Sequence, residues 1–321
     1  MTRNQWAILF AFAAIYIIWG STYLIILYAI KTIPPLLMSA IRFMTAGLIL
    51  YAYAAWKGEK QPDFISFIKN TLCGILLLFG GTVAVAWAEQ YLPSSITAVI
   101  VTSVPFWFVL LDKKQWSWYF SNKLIIAGLL TGSAGVVFLL SNKSAGPATV
   151  HSSQYIAGII VLIAGGIAWT AGSLFSKYYP ARNSLLMNAS IQLMTGGFCS
   201  LMVSLFTGES EKFSFAQVTT ASWLALLYLT IIGSLVAYLC YLWLLKIRSA
   251  AQVSTYVYVN PVVAVLLGAI IAREKISGIQ VVSLLIILGG VLLVNLPKYK
   301  ILQTRKSAAG IRIQKDLRKT G

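Results

Sequence analysis

Charge is what this chain has least of. Asp, Glu, Lys and Arg make up 10% of its 321 residues, against 59% hydrophobic residues and a mean hydropathy of +0.81. A soluble domain carries about a quarter charged residues, so a water-soluble globular fold is excluded and a bilayer must solvate most of the chain. Acidic residues are scarcest, eight against 25 basic ones, for a net charge of +17. That excess does not describe a nucleic-acid binder. The basic residues are spread thinly between apolar runs and gather in residues 298–321, as they do at cytoplasmic ends beside anionic lipid. Histidine occurs once, as His151, so a zinc or haem site lacks partners. Cys73, Cys199 and Cys240 lie far apart inside apolar runs with no C-x-x-C pair, which excludes a disulfide framework. A P-loop, a Ser–His–Asp set and paired intramembrane carboxylates are all missing. The expectation is a chain with no catalytic residues, no metal and no cofactor, which ATP cannot drive directly.

What remains is apolar runs. Crossing about 30 Å of hydrocarbon takes about 20 mainly apolar residues. Ten stretches qualify: 6–26, 33–56, 71–88, 92–111, 124–140, 155–176, 184–207, 218–245, 249–272 and 276–297. In lipid each must satisfy its own backbone, so the predicted fold class is an all-α, polytopic membrane protein with ten transmembrane helices. The first run carries Arg3 and small residues like a signal peptide. It continues to Ile26, beyond the ~7–15 residues of a signal's apolar region, so it is expected to be a retained helix.

The ten spans repeat. Residues 39–47 (SAIRFMTAG) align without gaps on 189–197 (ASIQLMTGG) at a shift of 150, placing Arg42 on Gln192, Met44 on Met194 and Gly47 on Gly197. Trp19 falls on Trp169 at the same shift; Trp87 and Pro105 fall on Trp243 and Pro261 at a shift of 156. Gly135-Val136 falls on Gly290-Val291 at 155. Five helices match five in order. An odd number inverts the second copy in the membrane, giving two inverted five-helix repeats, an arrangement heavily used by secondary transporters working by alternating access. The expected domains are a first repeat at 1–140, a polar loop at 141–154, a second repeat at 155–297 and a basic tail at 298–321. Counting Lys and Arg by loop puts nineteen on the side of the termini and five on the other, so both termini are expected to be cytoplasmic.

Candidate site residues follow from cost and position. Arg42, some 12 Å along its helix from Pro34, is expensive in a span. It either contacts substrate, or has a structural role in which it snorkels to the outer interface or holds carbonyls of a neighbouring helix. Glu89 could pair with Arg42 or carry a proton as a coupling residue; the alternative is an anchor at the end of the third span. The mid-span aromatics Trp19, Trp87, Trp169, Tyr238, Trp243 and Tyr256 could wall a cavity or simply pack. Gln192 completes the set as the counterpart of Arg42. Gln252, Tyr256 and Asn260 recur at i, i+4 and i+8 and should share one helix face, opposite the aliphatic Ile96, Ile100 and Val104. That stripe either lines a cavity for an amphipathic solute or glues helices together. Gly128-x-x-x-Gly132 and Gly289-Gly290 provide close-packing faces, within the chain or in a homodimer.

These residues resemble a known family. The Trp19-Gly20-Ser21 sequence, the Pro34…Ala-x-Arg42-Phe43 pattern, the hairpin Ala88-Glu89-Gln90…Ala98…Pro105 and Pro261…Glu274-Lys275 look like the EamA-type transporters of the drug/metabolite transporter superfamily. The resemblance covers roughly 6–297. The family's usual Gly-Glu pair after span four is replaced by Leu111-Asp112-Lys113. The resemblance implies a bacterial inner-membrane carrier, often an exporter of amino acids, metabolites or drugs. Its central cavity would lie between the repeats, with no shared catalytic residues. The expected partners are a small-molecule solute and membrane lipid, not nucleic acid.

Overall fold

The structure is a computed structural model; it describes residues 3–92, 97, 100–141, 152–271, 278–279, 281–294 and 296. Most of the 141–154 loop, the basic tail, Ile96 and Glu274-Lys275 lie outside the described residues. All regular structure among the described residues is helical. The helices are α1 (Arg3–Ile30), α2 (Pro35–Trp56), α3 (Phe64–Ala88), α4 (Val104–Leu111), α5 (Trp116–Ser121) and α6 (Lys123–Ser141). They continue with α7 (Ser152–Tyr178), α8 (Leu185–Phe206), α9 (Thr220–Ile247), α10 (Ala250–Val253), α11 (Tyr256–Ile271) and α12 (Val281–Val294). Six of these, α1, α2, α3, α7, α8 and α9, are each long and apolar enough to cross a membrane unaided. Helical residues also fall in the other four predicted stretches, as shorter or broken pieces. The chain turns by 92° between 113–121 and 123–139, so α5 lies across the direction of α6. The ninth stretch is split at Ser254-Thr255 into α10 and α11.

The most extensive helix-to-helix packing joins α2 to α8. A Cβ added to Gly47 would lie 2.6 Å from Met194 Cγ and 2.8 Å from its backbone N; one added to Gly197 would lie 2.7 Å from both the Cγ and the N of Met44. Each contact is the image of the other at the shift of 150. Such reciprocity is what a local two-fold axis between two helices requires. It extends to the helix ends. Gly58 and Gly208 both take positive φ, 72° and 67°, the left-handed conformation glycine adopts cheaply. Glu209, just after Gly208, accepts from the backbone N of Leu36 (2.7 Å) and Leu37 (3.4 Å), satisfying donors left open where α2 begins. Glu59, just after Gly58, accepts from the hydroxyl of Ser184, the residue whose side chain caps α8. Asp63 caps α3 through Ser66 N, and Thr219 caps α9 through Ser222 N, a pair matching at the shift of 156.

Small residues set the remaining approaches. Gly81 and Gly165 let α3 and α7 close on each other, with the ideal Cβ of Gly81 2.8 Å from the Trp169 ring and that of Gly165 2.9 Å from Ala84. The glycines of α6 pack within the chain: the ideal Cβ of Gly128 lies 2.7 Å from Gly290 O, and that of Gly290 2.5 Å from Gly132 N. Gly289 meets no neighbour within 4 Å.

Candidate functional site

The site grows from a distortion shared by two helices. Both α3 and α9 widen into π-helix, over Gly74–Val83 and Leu229–Val236 respectively; such segments are rare and concentrate at functional sites. In α9 the wider turn lets Ser234 Oγ donate to Leu229 O, five residues back, at 3.0 Å. The same hydroxyl accepts from Arg42 Nε of α2 at 2.8 Å. Gly233 leaves the room for this, since a Cβ there would lie 3.0 Å from Arg42 Nη2. Its carbonyl accepts from Trp19 Nε1 at 3.3 Å. The guanidinium carbon also sits 4.9 Å from the ring centroid of Phe43.

Around this cluster α1, α2, α3, α4, α7, α8, α9 and α11 line a cavity with about 860 Å³ of non-atom space, its open mouth included. Its wall carries Trp19, Thr22, Tyr23, Arg42, Leu78, Thr82, Val104, Leu162, Trp169, Ser234, Tyr238, Tyr256 and Asn260, among others. It occupies mid-depth and the half toward the Ile30 and Ala88 ends of α1 and α3. On the other side lies an aromatic layer. Trp19 has ring centroids 5.6 Å from Trp169, 5.1 Å from Tyr241 and 4.7 Å from Tyr256, and Tyr241 hydrogen-bonds Ser173 at 2.6 Å.

Beyond that layer the helices are tied by polar bonds. Tyr238 OH donates to Gln192 Oε1 (2.6 Å), Gln192 Nε2 to Asn70 Oδ1 (2.8 Å) and Asn70 Nδ2 to Asn188 Oδ1 (2.8 Å). Asp112, 1% exposed, accepts from Tyr119 (2.9 Å) and Tyr178 (2.6 Å). Lys177 donates to the carbonyls of Leu245 (2.6 Å) and Arg248. Asp112 thus fastens the end of α4 to α5 and α7.

Six candidates, Trp19, Arg42, Trp169, Tyr238, Tyr256 and Asn260, come together on the cavity wall. Gln192 is one hydrogen bond behind it and borders a smaller depression with Lys69 and Asn70. Trp87 and Trp243 do not line the cavity; Trp87 packs edge-on against Tyr91 at 4.9 Å. Gln252 does not line the cavity. Between α10 and α11 the backbone bonds tighten to i→i−3, from Thr255 N to Gln252 O, Val257 N to Ser254 O and Tyr258 N to Thr255 O, which interrupts the 3.6-residue period that would stack Gln252 over Tyr256. Val104 lines the wall and Ile100 does not. Glu89 makes no ion pair with Arg42. It is 7% exposed, and neither carboxyl oxygen has a hydrogen-bond partner among the described residues. The sequence reading missed Tyr23, Gly233 and Ser234, because nothing in an apolar run marks a Gly-Ser pair as the partner of an arginine two spans into the other half.

Comparison with known proteins places this architecture. The chain is 36% identical over 295 residues to YedA of Escherichia coli K12, described as an uncharacterized inner membrane transporter, covering 90% of each chain. It is 25% identical to the transporter YvbV of Bacillus subtilis, over 92% of this chain and 93% of that one. It is 27% identical to PecM of Dickeya dadantii, over 87% and 89%. A solved crystal structure with 21% identity superposes with a TM-score of 0.73, covering 94% of this chain and 99% of the other, a likeness of fold. The sequence model of the EamA-like transporter family matches residues 5–141 and 156–296. With matches spanning nearly its whole length, the chain is a multi-pass membrane protein that belongs to the EamA-like transporter family of the drug/metabolite transporter superfamily.

Proposed function

We propose that this chain is a secondary transporter that exports small organic solutes by alternating access at the cavity between two inverted five-helix repeats. The observation that carries the reading is the cavity itself: a space at mid-depth, walled by helices from both halves and bounded on one side by an aromatic layer. Reciprocal packing of Gly47 on Met194 and Gly197 on Met44 supports the inverted repeat, as do the family matches over two segments of similar length. Both termini are cytoplasmic in this proposal, following the loop charges; a reporter fused after Lys306 should be inactive in the periplasm. Glu89 is the proposed coupling residue, a buried carboxyl without a partner among the described residues.

Counterflow in proteoliposomes tests the function. A carrier preloaded with unlabelled solute accelerates uptake of the labelled form. A channel gives no such acceleration, and a scaffold or binding protein gives no uptake.

A further inference from the structure

The wall of the cavity holds one formally charged side chain among the described residues, Arg42, and no carboxylate. Arg42 is 4% exposed, yet only its Nε has a hydrogen-bond partner, the neutral hydroxyl of Ser234. Among the described residues its Nη1 and Nη2 form neither a hydrogen bond nor an ion pair. A guanidinium presents five N–H donors in a rigid fork, so most of this one's capacity is unspent. A buried cation without a counter-charge is costly, and Ser234 and the Phe43 ring offset only part of that cost. The neighbouring backbone makes room for it: Gly233 leaves open the space beside Nη2 that a side chain would fill. The same wall supplies Trp19, Trp169 and Tyr256, flat apolar surfaces in contact with one another.

We propose that Arg42 is the anion receptor of this cavity, and that its solutes are small organic carboxylates with an apolar or aromatic body. The inference rests on the transport reading above. A carboxylate matches the guanidinium fork with two parallel hydrogen bonds. Its single negative charge balances the single positive one; a phosphate dianion would leave charge over in a wall with no second cation. A cationic solute meets like charge and no compensating carboxylate. The aromatic faces take the body of the solute. Asn260 Oδ1, buried and without a partner among the described residues, offers an acceptor for an N–H or O–H elsewhere on it.

The test uses the purified full chain and a matched series: 3-phenylpropionate, its amide, phenethylamine and phenyl phosphate, with the indole equivalents of the first three. Affinities come from shifts of the thermal unfolding midpoint. The acid should bind at least 10-fold tighter than its amide, the scale of a lost charge-assisted pair, and the amine and phosphate should be weaker than the acid. Arg42→Gln should bring acid and amide within about 2-fold, Arg42→Lys should keep the order with a smaller gap, and Gly233→Ala should weaken the acid selectively by displacing Nη2. If Arg42→Gln does not fold, the other two variants carry the comparison. An amide that binds as well as the acid, acid preference surviving in Arg42→Gln, phosphate outranking carboxylate, or no acid binding to folded wild type each overturn the inference. Counterflow of the same compounds separates the two readings. Neutral solutes exchanging equally in wild type and Arg42→Gln leave transport standing without the anion receptor. Acids that bind but never exchange leave the receptor without transport.

Discussion

Arg42 and Gln192 occupy equivalent places in the two halves and do different work. The guanidinium faces a cavity with its outer nitrogens unpartnered among the described residues; the amide is locked between Tyr238 and Asn70, 2% exposed. Arg42→Ala should therefore abolish or strongly reduce transport with a modest effect on folding. Gln192→Ala should keep more transport but leave the Tyr238 hydroxyl and the Asn70 carbonyl unpartnered, costing about 1–3 kcal/mol for each stranded group; thermal unfolding in detergent measures it. If Gln192→Ala unfolds at the wild-type temperature, the buried chain is not supporting the bundle. Glu89 carries a separate expectation: Glu89→Gln should stop transport driven by a proton gradient while counterflow exchange continues. Loss of both activities together would make Glu89 structural. At this scale the sequence was half legible. The cost of a charge in a span pointed to Arg42, but Ser234 and Gly233 gain their role from a π segment that no composition signal announces.

Elements were more legible than side chains, because periodic apolar length is a strong signal and internal similarity is stronger. The alignment of 39–47 with 189–197 already implied that α2 and α8 are equivalent, and the structure packs them against each other with matched glycines. The pairs Gly58-Glu59 and Gly208-Glu209 also match at the shift of 150, yet read along the chain they look like two ordinary polar turns. Their roles as helix stops and as contacts to the start of the other helix appear only when the two helices are laid together. Within the ninth stretch the tighter backbone turn at Ser254-Thr255 leaves the hydropathy unchanged, so no pattern along the chain marks it. The packing makes a symmetric prediction. Gly47→Val and Gly197→Val should each overpack the α2–α8 contact, costing about 1–3 kcal/mol, and should agree with each other within about 0.5 kcal/mol. Thermal unfolding of both variants checks it, and a cost confined to one of them would break the reciprocity.

At the scale of the whole molecule the two ends of the bundle differ. The cavity reaches from the aromatic layer toward the Ile30 and Ala88 ends, while the opposite end holds the Asp112–Tyr178 bond, the Lys177 contacts to Leu245 and Arg248, and the Gln192 chain. In the proposed orientation that fastened end is cytoplasmic. If transport alternates access, these bonds must break for the cavity to open inward, and weakening them shifts the population toward the other state by their differential free energy. Lys177 is suited to the test. It bonds backbone carbonyls of α9 and of the residue just after it, away from the cavity wall, and Lys177→Met keeps the length of the stem while removing the donor. On a background with Cys73, Cys199 and Cys240 replaced by serine, Asn260→Cys should label with a membrane-impermeant thiol reagent from the periplasmic face. Labelling from the cytoplasmic face, measured in inside-out vesicles, should be several-fold slower. Adding Lys177→Met should raise the cytoplasmic rate and lower the periplasmic one. A change of about 1.4 kcal/mol in the balance of states corresponds to about tenfold in their ratio, within the range such labelling resolves. Unchanged rates on both faces would mean that the Lys177 bonds hold the bundle together without gating it.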